Sequence, residues 1–151
     1  MKSEHNIENI AVKSAKIDKR IKRLVVWLNK FHSVQTLWSC QGSPQSLNLG
    51  PSLECLYLSG CPYVNFDCSN PDQLAIIIDC IQKFKHTSFY EDISEKHKDR
   101  GFIVCQVSYN FEEKRLNYDI YLKYIEYADA IVDYYENIYK WQLEKKMKLI
   151  P

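Results

Sequence analysis

The segment Ser39-Cys40-Gln41-Gly42 brings together residue types that could do chemistry, in a chain that has only four glycines. It follows an apolar stretch and precedes a polar, proline-containing loop over residues 43–52. Small residues and a glycine at a strand end can expose several backbone N–H groups, and such a concavity binds phosphate, carboxylate or sulfate. The Ser39 and Gln41 side chains could add hydrogen bonds. The alternative is a plain turn in which Gly42 supplies a positive φ.

Cys40 is a second chemical candidate, because a thiolate beside a base is a nucleophile. The chain has four histidines, at positions 5, 32, 86 and 97, and none lies in a recognisable catalytic signature. The pattern therefore favours a structural cysteine at a strand end, and no catalytic residue is assigned. The six cysteines contain no C-x-x-C pair, so no metal site is predicted. The remaining metal alternative would combine Cys55, Cys61, Cys68 and His86.

The same residues carry a resemblance to known families. Leu28-Asn29 followed by Thr36-Leu37-Trp38-Ser39-Cys40-Gln41-Gly42 resembles small uncharacterised bacterial and phage proteins whose turn reads Ser-Cys-Gln-Gly-His, and residues 62–66 (PYVNF) are similar to their next strand. More distantly, the turn resembles the Ser-Cys-Ser-Gly segment of the tRNA wybutosine-synthesizing protein 3 family. That resemblance implies an S-adenosylmethionine-dependent RNA methyltransferase. The chain departs from both families at Ser43, where they tend to carry His or Arg.

Together these patterns predict a ligand site at the turn. Its residues are Thr36, Ser39, Cys40, Gln41 and Gly42, with Asn29 and Tyr63 nearby. The expected ligand is anionic: a nucleotide, RNA or S-adenosylmethionine. Aromatic residues such as Trp38, Tyr57, Tyr63 and Phe66 could stack on bases. The alternative is a non-enzymatic interaction protein whose tyrosine-rich C-terminal helix forms a homodimer or binds another partner.

Periodicity predicts the elements that would position these residues. The expected order is α-βββ-α-ββ-α, an α+β fold with a mostly antiparallel sheet of about five strands and three main helices. Residues 1–13 are expected to be a flexible N-terminus, and residues 14–151 a single globular domain. The predicted strands are 33–39, 53–58, 63–67, 102–109 and 115–122, and the predicted helices cover about 17–28, 71–85 and 124–146. Residues 86–101 are predicted to be a loop that could include one edge strand. A competing prediction begins the last helix at Asn117.

Composition limits the function classes. The chain has 151 residues and a formal net charge of +1, which gives no overall argument for nucleic acid or membrane. Charge is uneven, however: residues 13–23 carry six basic side chains and one acid, whereas residues 119–136 lean acidic. A basic first helix could contact phosphates. The N-terminal residues lack the apolar core of a signal peptide, and no apolar run approaches the length of a membrane span. A cytoplasmic protein with reduced cysteines and no membrane partner is therefore expected.

Overall fold

In a computed structural model, residues 17–42 and 60–148 are described. Their elements follow the order α1-β1-β2-α2-α3-β3-β4-α4. The bounds are α1 Lys22–Asn29, β1 Val34–Cys40, β2 Tyr63–Cys68, α2 Pro71–Phe84, α3 Ser88–His97, β3 Ile103–Asn110 and β4 Arg115–Leu122. The last helix, α4, is continuous: an α-helical part Glu126–Tyr134, one π-helical turn Tyr135–Tyr139 and a second α-helical part Lys140–Lys148. This is the predicted α+β class.

The described strands form one antiparallel sheet of four strands in the order β1-β2-β4-β3. The sequence predicted about five strands. The predicted strand 53–58 and the predicted flexible N-terminus, residues 1–13, lie outside the described residues. Residues 115–122 form β4, so the competing prediction of a helix from Asn117 is wrong. The reason is the alternation of apolar and polar residues over this segment, which suits a half-buried strand.

The prediction of a loop over residues 86–101 is also wrong, because residues 88–97 form α3. Thr87 caps this helix by accepting a hydrogen bond from the N–H of Tyr90. Lys98 ends it in a left-handed conformation, with φ of 54°. The helix buries only two side chains, Tyr90 and Ser94, so its apolar periodicity is too weak to stand out in the sequence.

Helix α2 shows how closely local signals can define an element. The Asn70 side chain accepts hydrogen bonds from the N–H groups of Asp72 and Gln73, at 2.8 and 3.1 Å, and Pro71 occupies the first helical position. The helix then buries Ile77, Cys80, Ile81 and Phe84. The boundaries agree with the sequence prediction because the cap, the proline and the apolar stripe all specify the same start.

The core lies between the helices and one face of the sheet, which we call the inner face. Its strand residues include Val34, Val64, Phe66, Ile120 and Leu122, packed with buried side chains of α1, α2 and α4. The other face, called the outer face here, is not covered by any of the described helices. None of the described helices is long and apolar enough to span a lipid bilayer.

Opposite charges join α1 to α4. Arg23 contacts the carboxylates of Asp133 and Asp129 at 2.8 and 3.9 Å, and Lys30 lies 3.8 Å from Glu136. The basic and acidic regions seen in the sequence are thus partners within the chain. Arg23 and Lys30 are therefore less available for phosphate contacts than a solvated basic helix face would be.

Candidate functional site

The Ser39–Gly42 turn is tightly packed at its glycine. Gly42 has φ of 91°, and a Cβ atom placed on it would lie 2.7 Å from Cδ of Pro62 and 3.0 Å from the carbonyl oxygen of Gly60. Both the backbone conformation and the close approach of residues 60–62 therefore require glycine at this position.

The backbone N–H groups of this turn already have partners. Gln41 donates its N–H to the Asp18 carboxylate at 2.9 Å, and Gly42 donates its N–H to the sulfur of Cys40 at 3.3 Å. The Gln41 side-chain oxygen accepts from the N–H of Arg20 at 3.3 Å. An incoming anion would meet the Asp18 carboxylate here. The geometry therefore favours a structural role for these three groups, and an anion site at the turn stays a prediction.

Asn29 and Thr36 form a junction between α1 and β1. Asn29 is fully buried, and its Nδ2 donates to the carbonyl of Val25 at 2.9 Å and to Oγ1 of Thr36 at 2.8 Å. Its Oδ1 accepts from the N–H of Thr36 at 3.3 Å. These contacts fix the helix on the strand and account for both side chains without a ligand.

Strand register divides the remaining predicted residues between the two faces. Ser39 pairs with Val64, which is buried, so Ser39 lies on the inner face. Cys40 pairs with Tyr63, and Tyr63 pairs with Tyr121, so these three residues share the outer face. The predicted site is therefore not one cluster. Its outer members belong to a larger surface.

That surface is built from cross-strand rows of the four-stranded sheet. One row consists of Trp38, Asn65, Asp119 and Gln106, and the next consists of Cys40, Tyr63, Tyr121 and Val104. Beside the first row, Asn117 pairs with Ser108, and Arg115 pairs with Asn110. Solvated sheet faces often carry lysine, yet Arg115 is the only basic residue in these outer-face positions. Planar amide and carboxylate groups occupy the centre instead.

Two amide oxygens at this centre have no hydrogen-bond partner among the described residues. Asn65 donates from Nδ2 to Oδ1 of Asp119 at 2.6 Å, but its own Oδ1 is buried and accepts no hydrogen bond. Oδ1 of Asn117, whose residue is only 9% exposed, is buried and unpaired as well. An unpaired buried acceptor costs about 1–3 kcal/mol. Together with the Asp119 carboxylate, which accepts from Asn65, these two oxygens make the centre of the outer face rich in hydrogen-bond acceptors.

Aromatic rings flank these acceptors. Tyr63 and Tyr121 lie side by side, with ring centroids 5.7 Å apart. Burial raises the pKa of both hydroxyls, and the nearby Asp119 raises it further, so both remain hydrogen-bond donors at neutral pH. Trp38 is 69% exposed at the edge of the same face. Phe66, also predicted to stack on bases, is buried in the core, and Tyr57 lies outside the described residues.

Other reactive groups are engaged elsewhere. Nε2 of His97 lies 2.5 Å from Glu126, and the His97 ring stacks on Tyr124 with centroids 3.8 Å apart, which fastens α3 to α4. His32 contacts the Gln73 side chain. Within the described residues, no three side chains of His, Cys, Asp or Glu are grouped closely enough to hold a metal ion. Cys55, one member of the metal alternative, lies outside those residues.

The tyrosines of α4 mostly serve the core. Tyr127, Tyr134 and Tyr139 are buried against the chain's own side chains, and Tyr139 donates its hydroxyl to Asp79 at 2.8 Å. The aromatic density that suggested an interaction surface is thus explained largely by internal packing. Trp141 and Met147 remain exposed on the C-terminal part of this helix.

No protein-family model, curated protein or solved structure matches the chain. Sequence reasoning missed Asn65, Asn117, Asp119 and Tyr121 as site residues. The signal that could have found them is the alternation in 115–122, which places Asn117, Asp119 and Tyr121 together on the side opposite the core.

Proposed function

We propose that the protein binds a nucleoside-type ligand on the outer face of its sheet: a nucleoside, S-adenosylmethionine or the bases of single-stranded RNA. The sequence predicted an anionic ligand at the turn: a nucleotide, RNA or S-adenosylmethionine. RNA and S-adenosylmethionine are kept here, but the group recognised is the base and the site is the adjoining strands. The observation that carries it is the pair of unpaired acceptor oxygens on Asn65 and Asn117 beside the Asp119 carboxylate. Trp38 and the Tyr63–Tyr121 pair, which can stack on a base, lie beside Asn65 and Asp119.

The acceptors favour the base over the phosphate. Exocyclic amino groups of adenine, guanine and cytosine donate hydrogen bonds, and carboxylate or amide oxygens accept them. A phosphate is negatively charged at neutral pH and would be repelled by Asp119. S-adenosylmethionine fits the same chemistry, because its adenine amino group donates and its sulfonium and ammonium groups are positively charged.

Stacking would supply much of the affinity. Trp38 is exposed and contributes one outer-face position of β1, in the same row as Asn65 and Asp119. Base–aromatic stacking is worth about 1–3 kcal/mol per base. The Tyr63–Tyr121 pair provides a second aromatic wall one row away, two strand positions from Asn65 and Asp119. The arrangement suits one planar ring system whose edge hydrogen-bonds to the acceptors and whose face stacks on an aromatic side chain.

Isothermal titration with adenosine, S-adenosylmethionine, a short single-stranded RNA and inorganic phosphate tests the proposal. We expect binding of at least one of the first three and none of phosphate. Trp38→Ala should weaken that binding by about 5- to 150-fold, the equivalent of one lost stack. Trp141→Ala is the matched control, because Trp141 is similarly exposed, at 60%, but lies on α4.

Two further variants test the polar centre. Asp119→Asn keeps the size of the side chain and removes its charge, so it should weaken S-adenosylmethionine more than adenosine. Asn117→Leu removes an acceptor, and circular dichroism would verify that the variant is folded. The proposal fails if none of the three ligands binds, or if Trp38→Ala and Trp141→Ala bind equally well. Binding of phosphate alone would instead support an anion site.

A further inference from the structure

In the part of the chain that the structure describes, strand β3 is an open edge of the sheet. Among the described residues it pairs only with β4, and that ladder runs without a bulge from Ile103 to Asn110. An edge strand presents unpaired N–H and C=O groups to other chains. Natural edges are usually protected by charges, prolines or bulges, but the sequence IVCQVSYN contains no charge and no proline. The opposite edge, β1, does carry a bulge, between Thr36 and Trp38.

The second half of β3 is also uncovered on both faces. All four residues 106–109 are exposed. On the inner side, Val107 is 63% exposed, and Tyr109 and its partner Leu116 are exposed beyond the helices. Phe111 packs edge-on against Tyr109, with ring centroids 4.9 Å apart, and is exposed as well. The hairpin thus presents a continuous apolar patch next to an open edge, which is typical of an interaction surface.

We infer that β3 pairs with β3 of a second copy of this chain, in antiparallel orientation, to give one continuous eight-stranded sheet. A two-fold axis perpendicular to the sheet makes such a contact self-complementary. The axis keeps each face of the sheet on its own side, so inner-face residues must pair with inner-face residues. In a register centred on Gln106, Cys105 pairs with Val107 of the other copy and Ile103 pairs with Tyr109. The two apolar patches then meet beside the axis.

Charge at the two ends of β3 favours this occupant and this direction. Lys98, Asp99 and Arg100 precede the strand and give a net positive end, whereas Glu112 lies in the turn after it, where the neighbouring Glu113 is paired with Arg115. Antiparallel pairing brings the positive end of each copy to Glu112 of the other, twice in each dimer. In the register centred on Gln106, Arg100 lies opposite Glu112. Parallel pairing would bring like charges together.

Sedimentation velocity on the full chain, over a concentration series, tests the inference. We expect wild type to reach twice the 17.9 kDa mass of the chain. Val107→Lys places a charge at the centre of the contact and should give a monomer throughout. Met147→Lys is the matched control, because Met147 is also 63% exposed but lies at the end of α4. It should remain dimeric, whereas a dimer formed through the last helix would show the reverse pattern.

A charge exchange keeps the test independent of folding defects. Arg100→Glu alone and Glu112→Arg alone should each weaken the dimer, and the double variant should restore it. Glu91→Arg, an exposed change of the same sign on α3, should have no effect. The inference is overturned if wild type stays monomeric at its solubility limit, or if Val107→Lys dimerises as well as wild type. It would also be overturned if the double charge exchange failed to recover what each single change lost.

Discussion

Replacing Asn29 by alanine separates a structural role for this residue from the ligand-binding role suggested by the sequence. Asn29 is fully buried at the end of α1 and makes three side-chain hydrogen bonds. Two of them reach Thr36 in β1. If these bonds hold the helix on the strand, the Asn29→Ala variant should lose stability whether or not any ligand is present.

The expected loss of stability follows from the groups that lose Asn29 as their hydrogen-bond partner. The Val25 carbonyl keeps its helical hydrogen bond, so the main loss is the two bonds to Thr36. A hydrogen bond contributes about 1 kcal/mol net, and an unpaired buried donor adds a penalty of about 1–3 kcal/mol. The Thr36 N–H, in a half-buried residue, loses its partner and incurs part of this penalty. We therefore expect Asn29→Ala to lower the free energy of unfolding by about 2–4 kcal/mol.

Urea unfolding followed by far-ultraviolet circular dichroism measures this loss. Asn137→Ala is a closely matched control: its Nδ2 also donates to the carbonyl four residues earlier, at 2.9 Å, but Asn137 is exposed. That variant should stay within about 0.5 kcal/mol of wild type. A double-mutant cycle with Thr36→Val should give a coupling energy of about 0.5–3 kcal/mol. The reasoning would be refuted if Asn29→Ala were as stable as Asn137→Ala, or if the coupling were absent.

Three further predictions concern single positions. Gly42→Ala should lower the free energy of unfolding by about 1–3 kcal/mol. The reason is that Gly42 has φ of 91° and that an added Cβ would collide with residues 60–62. Urea melts measure the loss, and a change near zero would contradict the packing described for the turn. Burial acts to raise the pKa of Asp79, but hydrogen bonds from Tyr139 and Lys83 outweigh it and leave that pKa lowered. Because this pKa is lower in the folded state, the ionised Asp79 stabilises the fold at pH values above its unfolded pKa of about 3.9. This stabilisation is lost as the pH falls through the folded-state pKa. Asp79→Asn should therefore lower the free energy of unfolding at pH 7 and make its decline below about pH 4 less steep. Urea melts over a pH series measure this, and an unchanged pH dependence would show that the hydrogen bonds to Asp79 contribute nothing. Burial raises the pKa of the Cys80 thiol to about 12, so iodoacetamide should modify Cys80 in the unfolded chain but not in the folded one, as mass spectrometry of the labelled peptide would show.

Much of this fold could be predicted because local and long-range signals agree. The Asn70 cap and Pro71 define the start of α2, and the alternation over residues 115–122 defines β4 with correct bounds. Helix α3 could not be predicted in the same way. Its stability depends on a few contacts with distant residues, such as Ser94 with the Tyr127 hydroxyl and His97 with Glu126. Those partners lie about thirty residues away and leave no periodic pattern within the helix.

The candidate site was harder to predict because strand geometry decides which residues share a face. In a regular strand, Thr36, Trp38 and Cys40 would all point to the same side. The register instead pairs Thr36 with Phe66 and Trp38 with Asn65, so Leu37 is an extra residue that reverses the alternation. A bulge of this kind has no mark in a single sequence.

The bulge links the structural and the proposed ligand-binding parts of β1. Before it, Thr36 faces inward and bonds to Asn29; after it, Trp38 and Cys40 face outward beside Asn65 and Tyr63. In a regular register Leu37 would pair with Asn65 and Trp38 with Val64, and the large Trp38 ring would be directed at the packed core, where Val64 and Phe66 leave it no room. One strand can therefore close the core with its first half and present an aromatic ring to the outer face with its second. If the outer face binds a planar ring, as we propose, then the irregularity at Leu37 is what makes Trp38 available to it.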